Sequence, residues 1–463
     1  MVERVTGGKA LPPEVVEQIV AKTDSVPLFV EELTKTVVES GLLREEEGRY
    51  VGAHRCAPIP PLAIPATLQD SLMARLDRLS TVREIAQLGA TIGREFSYEL
   101  MQAVSPLDEA TLQQGLKQLV EAELVYQRGL VPQAHYLFKH ALIQDTAYQS
   151  LLKSTRQQYH RQIGQVLEER FPETVETQPE LVAHHYTEAE CTTQAIRYWR
   201  RAGQRANDRS AYTEAIAHCT KGLEVLKTLP DTPERSQHEL RLLIALGIPL
   251  IATEGYGALA VERTYARALE LCRQMGETPQ LFPVLGGLCS FYQQRAELKT
   301  ARELAEQLLR LAQSEQDPAR LLWAHVALGE TLRYLGELPL SLKHLQQSLA
   351  LYNPQQGRSY GFVYNPRVLC LSTLVLVLYT LGYPDQALKR SDQALTLARE
   401  LSQPYSLVIA LSFAALVRRM RGELQAAQEL EEATTALSHN CYFPKIEMSK
   451  TELAAAELAT KPG

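Results

Sequence analysis

Residues 322–351 read LWAHVALGETLRYLGELPLSLKHLQQSLAL, and the rest of the chain repeats this pattern with variations. Leucines on each side of Gly336 recur three and four positions apart, which is the spacing of one face of an α-helix. Gly336 breaks the pattern, because a residue without a Cβ atom readily adopts the left-handed conformation that ends many helices. The stretch therefore predicts two amphipathic helices joined by a tight turn.

The same unit recurs along the chain with a simple signature. A small residue at the turn is followed five positions later by a second small residue, near the start of the next amphipathic helix. The pairs are Ser210/Ala215, Ala296/Ala301, Gly336/Ser341, Gly382/Ala387 and Gly422/Ala427, and Glu190/Ala195 departs only in its first residue. The last four pairs lie about 40, 46 and 40 residues apart, a period typical of stacked helical hairpins. Small residues allow the two helices of a hairpin to pack closely.

Two of these units resemble the tetratricopeptide repeat. The family's Leu-Gly pair, mid-helix apolar residue, turn glycine and second-helix residues correspond to Leu328, Gly329, Leu332, Gly336, Leu345 and Ser348, and an earlier match involves Tyr186, Ala195, Trp199 and Ala202. The resemblance implies an array of helical hairpins with helices longer than in the consensus of about 34 residues. Such an array stacks into an α-solenoid with a concave face. A non-repetitive helical bundle is the alternative.

Composition and charge bound the function. The chain has 463 residues, 45% of them hydrophobic, and a net charge of −6, whereas general nucleic-acid binding requires a basic surface. Its seven cysteines include no CxxC pair, which favours reduced core thiols. The longest apolar run, residues 368–378, is shorter than the roughly 20 residues that span a bilayer, and no apolar signal region follows Met1. We therefore predict a cytoplasmic protein that binds neither membranes nor DNA.

Residues 1–55 predict two amphipathic helices separated before Pro27, and residues 44–62 predict a loop or linker. The segment PLFVEELTK at 27–35 resembles the C-terminal end of the ATPase module in bacterial signal-transduction ATPases with numerous domains. The resemblance implies that residues 1–55 are a remnant of the helical lid domain of such a module, in which Pro27 lies near the adenine. Ser25 departs from the glycine that is usual in the family. These modules are often joined to class III adenylate or guanylate cyclase domains.

Residues 65–140 predict a winged-helix-like domain, with four helical segments followed by a small β-hairpin at 125–127 and 135–138. The helix that would read DNA, residues 108–125, carries four acidic residues and one lysine, so DNA phosphates would repel it. We expect an internal regulatory joint instead. In the segment FKHAL, His140 resembles the family histidine that contacts the diphosphate of ADP; a histidine that hydrogen-bonds the adjacent turn in the core is the alternative.

Residues 141–235 predict a helical connector with the first repeats, and residues 236–463 predict a tetratricopeptide-like array that ends before a capping helix. His184 and His185 are adjacent, so on a helix they point about 100° apart and do not converge on a metal ion. We predict that they are structural. The arginine-rich stretch at 197–209 is compatible with an acidic partner or with a solvated helix face.

The sequence contains no recognisable catalytic motif. A phosphate-binding loop at Gly8-Lys9 would need Gly at position 3 and Ser or Thr at position 10, where Glu3 and Ala10 stand. We therefore predict no catalytic residue, metal or cofactor in this chain, with ATP or ADP binding only through an ATPase core supplied in trans.

The predicted function is a non-catalytic sensor arm of a bacterial signalling ATPase, which binds a protein or a small-molecule inducer on its repeat surface. One alternative is a fragment of an ATP-dependent regulator or cyclase with catalytic domains upstream of residue 1. The other is a stand-alone tetratricopeptide scaffold.

Overall fold

The computed structural model describes residues 2–23, 27–39, 43–46, 49–52, 72–73, 80–276, 279–353 and 364–440. By its internal contacts the chain divides after Cys191 into two compact units. Both consist mainly of helices, and the second is a series of helical hairpins. The predicted all-α fold class with a tetratricopeptide-like solenoid is confirmed.

The first unit begins with the helices Val2–Val5, Pro13–Thr23 and Pro27–Glu39. Val15, Ile19 and Leu33 are fully buried between the two longer helices. Strands β1 (Leu43–Glu46) and β2 (Arg49–Gly52) then form an antiparallel pair, with Leu43 opposite Gly52.

This β-hairpin corrects the prediction of a loop at 44–62 in its first part. The strands form because Leu43 is buried against the helices and the charges beside it are paired. Arg44 Nη2 lies 2.7 Å from Glu46 Oε1, and Lys9 Nζ lies 2.7 Å from Glu45 Oε2. Residues 53–62 of the predicted linker lie outside the described residues.

Residues 80–138 combine helices Ser80–Ile92, Tyr98–Val104 and Glu109–Glu121 with strands β3 (Glu95–Ser97), β4 (Val125–Arg128) and β5 (His135–Phe138). The strands form an antiparallel sheet in the order β3-β5-β4. The Asp108 carboxylate caps the third of these helices by accepting a hydrogen bond of 3.0 Å from the Thr111 N–H. The first predicted helix, residues 64–79, lies outside the described residues except for 72–73. The element order matches a winged helix, an assignment that stays a prediction.

The described part of this unit ends with the helices Ala141–Gln149, Lys153–Arg170, Pro172–Thr177 and Pro179–Glu188. His160 and His185 are buried between the second and the fourth, and their Nδ1 atoms are 2.8 Å apart. The other nitrogen of His160, Nε2, lies 2.9 Å from the Tyr148 hydroxyl.

The second unit contains six helical hairpins in its described part, each made of a first and a second helix. They are hairpin 1 (Thr192–Asp208, Tyr212–Leu226), hairpin 2 (Pro233–Glu254, Leu259–Met275), hairpin 3 (Leu281–Gln294, Leu298–Glu315), hairpin 4 (Pro318–Tyr334, Leu338–Leu351), hairpin 5 (Pro366–Thr380, Pro384–Leu401) and hairpin 6 (Pro404–Met420, Leu424–Asn440). The first helix of each hairpin also contacts the first helix of the next. The last predicted helix, residues 449–463, lies outside the described residues.

The turn residues of the signature share one backbone conformation. Positive φ angles between 54° and 88° occur at Glu190, Ser210, Ala296, Gly336, Gly382 and Gly422. The residue after each turn residue donates its N–H to the carbonyl five positions earlier, as Glu337 does to Leu332 over 2.9 Å. This is the hydrogen bond of a Schellman cap. The small residues five positions after the turn are fully buried between the helices: Ala195, Ala215, Ala301, Ser341, Ala387 and Ala427.

Replacing Ala296 with Gly is expected to stabilise the second unit by about 0.5–1 kcal/mol, because the backbone of Ala296 has a φ of 60° and a residue with a Cβ atom is strained there. Ala266 lies exposed in the middle of helix Leu259–Met275, so Ala266→Gly should instead destabilise by about 0.5–1 kcal/mol. Thermal melts followed by circular dichroism measure both. Melting shifts of the same sign for the two variants would contradict the assignment of the strained turn.

Candidate functional site: a tyrosine-lined groove

A partly open cavity of about 80 Å³ lies along the first helices of hairpins 3 to 6. A second cavity of about 20 Å³ adjoins it. The residues that line both are Ser290, Gln293, Glu330, Tyr364 and Leu369. We call the two cavities together the tyrosine groove.

The helices place the lining residues by simple spacing. Glu330 and Tyr334 are four residues apart at the end of the first helix of hairpin 4, and Tyr405, Ile409 and Phe413 follow the same spacing in hairpin 6. Residues four apart lie on the same face of a helix. Because the first helices of consecutive hairpins pack side by side, these faces meet in one groove.

The aromatic rings of the groove centre on Tyr364. Its ring centroid lies 5.4 Å from that of Trp323, 6.2 Å from that of Tyr256 and 6.2 Å from that of Tyr405. Aromatic pairs at these distances contribute about 0.5–1.5 kcal/mol each beyond their buried area. Burial raises the pKa of Tyr256 and of Tyr364 well above the usual range of tyrosine, so both phenols are neutral at physiological pH.

A buried glutamine holds the polar side of the groove. The Gln293 Nε2 donates to the carbonyl of Ala327 over 3.1 Å and to the Thr331 hydroxyl over 2.7 Å. These bonds fix the amide between the first helices of hairpins 3 and 4, with its acceptor Oε1 on the other side of the amide group. Among the described lining residues, Glu330 is the only one with a formal charge.

The two predicted nucleotide-facing residues lie in the first unit. Pro27 is exposed and is the first residue of helix Pro27–Glu39. His140 directly precedes helix Ala141–Gln149 in an extended conformation, and its side chain makes no capping hydrogen bond. Its Nε2 is buried, and none of the described residues forms a hydrogen bond with it. The nucleotide-facing role of both residues stays a prediction.

An ion-pair network joins the segments on which the ATPase resemblance rests. Lys35 Nζ lies 2.8 Å from Glu31 and 2.6 Å from Glu123, and Lys139 Nζ lies 3.0 Å and 3.1 Å from the same two carboxylates. Hydrogen bonds from Lys35 and Lys139 lower the pKa of Glu123 to about 2. The helix of PLFVEELTK is thereby held against the residue that precedes His140.

None of the repeat-signature residues lines the tyrosine groove. Gly336, Gly382 and Gly422 are exposed in the turns, whereas the other signature residues are buried in the packing between helices: Ala195, Trp199, Ala301, Gly329, Ala387 and Ala427. Trp199 is buried, with its ring stacked on that of His218 at a centroid distance of 5.6 Å. A Cβ atom on Gly329 would lie 2.8 Å from Leu345 Cγ, so Gly329 allows the close approach of the two helices of hairpin 4.

The tyrosine groove was not predicted from the sequence, because a polar residue at the relevant repeat position is not specific to the groove. At the position six residues before the turn residue, hairpins 5 and 6 have Leu376 and Leu416, whereas hairpins 3 and 4 have Ser290 and Glu330. His184 and Gln204 are also polar at this position of the earlier units, so a polar residue there does not by itself mark the groove.

The described residues contain neither a metal-binding cluster nor a membrane-spanning helix. No group of three or more His, Cys, Asp or Glu side chains among them is arranged to hold a metal ion. Within the same ranges, no helix combines the length and apolar character needed to cross a membrane.

Comparison with known proteins supports the helical-repeat fold. Residues 280–353, which include hairpins 3 and 4, match the family model described as Tetratricopeptide repeat. An uncharacterized protein of Rhizobium meliloti (strain 1021) is 25% identical over 396 residues, which cover 84% of this chain and 37% of that protein. The chain therefore spans less than half the length of this relative. The second unit is a helical-repeat domain of the kind that generally serves protein interaction.

Several solved structures are similar at low identity. One is the signal transduction ATPase with numerous domains and a tetratricopeptide repeat sensor from Pyrococcus horikoshii. The match covers 98% of this chain and 70% of the ATPase chain, at 12% identity and a TM-score of 0.38. The match to a Rap protein complexed with competence and sporulation factor covers 84% of this chain and 89% of the Rap chain, at 13% identity and a TM-score of 0.43. The match to aspartyl phosphate phosphatase F from Bacillus subtilis covers 83% of this chain and 94% of the phosphatase chain, at 12% identity and a TM-score of 0.42.

Proposed function

We propose that the second unit is a non-catalytic interaction arm that binds a peptide segment of a partner protein in the tyrosine groove. The observation that carries the proposal is the groove itself, an aromatic cavity to which five consecutive hairpins contribute and in which a few polar groups converge. Binding sites are typically concave, mostly apolar and supplied with a small number of placed polar groups. A small-molecule inducer in the same groove is the alternative occupant.

The proposal extends to a signalling ATPase as the context of the arm. The support is the PLFVEELTK segment and its ion-pair contact with Lys139 and Glu123. In this proposal, residues 65–140 act as a winged-helix joint that passes the binding signal to a nucleotide-binding module in trans. DNA is not the expected partner, because the helix Glu109–Glu121 and its flanks carry mostly negative charge.

Selection from a phage-displayed library of random heptapeptides tests the groove as a peptide site. The immobilised full chain is expected to enrich related sequences, and Ser290→Phe, which fills the groove, should abolish the enrichment. Ser314→Phe is the matched control, since Ser314 is exposed on the second helix of hairpin 3. Enrichment of the same sequences by Ser290→Phe would place peptide binding elsewhere, and no enrichment by the wild-type chain would contradict the proposal.

A residual nucleotide contact at His140 is a second candidate, because the buried Nε2 of this residue has no hydrogen-bond partner in the part of the chain that the structure describes. Calorimetric titration of the purified chain with ADP and magnesium tests it. Micromolar affinity that is lost in His140→Ala would support a residual site, and the prediction that this chain alone binds no nucleotide would then be wrong. Absence of heat from a folded chain would remove the candidate.

A further inference from the structure

We infer that the tyrosine groove recognises a cationic group, the ammonium or guanidinium of a basic residue in the bound peptide, with Glu330 as its counter-charge. The inference rests on the proposed function, since it names the chemistry of the segment that the groove takes. Three features carry it: the charge of the lining residues, their aromatic character and the size of the cavity.

The charge of the groove is one-sided. Among the described residues that line the two cavities, Glu330 supplies a carboxylate and no Lys or Arg lines them. The Glu330 side chain is half-buried and already engages a partner within the chain. A ligand cation would exchange for that partner, and the pairing is stronger in this partly desolvated site than at an open surface. An anionic ligand group would be repelled.

The rings around Glu330 suit a cation as well. Tyr364 lies on the lining of both cavities, with Trp323 on one side and Tyr405 stacked at an interplanar angle of 20° on another. The faces of tyrosine and tryptophan attract ammonium and guanidinium groups through their quadrupoles. Because Tyr256 and Tyr364 remain neutral phenols, Glu330 carries the negative charge on the described lining, and the rings add attraction without a second anion.

The cavity has the size of a side-chain head group. Roughly 10–15 Å³ of such space holds one water molecule, so about 80 Å³ admits several groups of that size. An ammonium or guanidinium group with its last methylenes fits this space, whereas a whole peptide backbone does not. The acceptor side of the Gln293 amide offers a further oxygen to the N–H groups of such a cation.

Trp323 provides a built-in probe for the test. The chain has two tryptophans, so Trp199→Phe leaves the emission of Trp323 as the tryptophan signal. Two pools of acetylated, amidated heptapeptides are titrated, one with lysine and one with norleucine at the central position, all other positions being random without Lys or Arg. The lysine pool should bind at least tenfold more tightly, and Glu330→Gln should reduce its affinity to that of the norleucine pool. Glu303→Gln is the matched control, because Glu303 is exposed on the second helix of hairpin 3.

The outcomes separate this inference from the proposed function. Equal binding of both pools to the chain, unchanged in Glu330→Gln, would overturn the cationic specificity while leaving the groove as a peptide site. No binding of either pool would overturn both. If n-butylammonium chloride bound as tightly as the lysine pool, the ligand would be a free amine and the peptide-borne cation would be wrong. Loss of binding in Glu303→Gln as well as in Glu330→Gln would trace the effect to net charge and contradict a role of Glu330.

Discussion

Replacing Tyr265 with Ala is expected to lower the free energy of unfolding of the second unit by about 3–5 kcal/mol, the usual range for deletion of a buried aromatic side chain. Tyr265 is 4% exposed on the second helix of hairpin 2. Its ring lies against Gly247 on the first helix of hairpin 2 and against Gly287 on the first helix of hairpin 3. The ring therefore occupies a slot that exists because neither glycine has a side chain.

The effect of Gly→Ala at either glycine on stability should change sign when the Tyr265 ring is removed. A Cβ atom at Gly287 would lie 2.5 Å from Tyr265 Cε2, so Gly287→Ala should cost about 1–3 kcal/mol by overpacking. In the Tyr265→Ala background the same substitution meets empty space, and the higher helix propensity of Ala should make it stabilising by up to about 1 kcal/mol.

Urea denaturation of the four proteins of this double-mutant cycle measures the coupling. Gly247→Ala, which meets the Tyr265 hydroxyl, should give a cycle of the same sign. A Gly287→Ala variant as stable as the wild-type chain would show that the ring does not fill the slot.

Acidification from pH 7 to pH 5 is expected to destabilise the helices around His160 and His185 by at least about 2 kcal/mol. Both side chains are buried, and burial lowers the pKa of His160 to about 3 and that of His185 well below its ordinary value of 6.5. Below pH 6.5 the unfolded chain binds a proton at each histidine while the folded chain does not, so stability falls with pH. The loss at pH 5 is about 2 kcal/mol for His160, and His185 adds a loss of the same sign.

The surroundings of the pair explain why it stays neutral. The 2.8 Å contact between the two Nδ1 atoms needs one donor and one acceptor, which two imidazolium ions cannot provide. His184 and Arg156 add positive potential, and Glu188 lies 3.4 Å from the Tyr148 hydroxyl that contacts His160.

Hydrogen exchange of the amides in helices Lys153–Arg170 and Pro179–Glu188, corrected for the intrinsic pH dependence, measures this loss locally. His185→Gln should reduce the pH dependence without abolishing it, because His160 remains as a titrating group. His135→Gln, at an exposed position of β5, should leave it unchanged. A wild-type chain whose protection is equal at pH 7 and pH 5 would rule out buried, neutral histidines.

Much of the fold could be predicted because it depends on local spacing. The leucine periodicity around Gly336 indicates two helices wherever their partners lie, and a left-handed turn favours a small residue at one defined position. The β-hairpin at 43–52 escaped prediction because its strands are short and charged, and they are held by contacts with Lys9 and with the helical core. Such contacts join residues far apart in sequence, which no local pattern reveals.

In the candidate site, too, some features follow from local sequence and others depend on the tertiary structure. By itself, the sequence determined the hairpin unit, its period, the position of its turns and the small residues that let its helices pack, because each of these depends on neighbours within about one repeat. Only the tertiary structure brought Tyr256, Gln293, Glu330, Tyr364 and Tyr405 together, since they come from five consecutive hairpins and meet through the packing of one first helix on the next. The tyrosine groove depends on these interhelical distances and angles, and they are set by the sum of all the side chains between the hairpins.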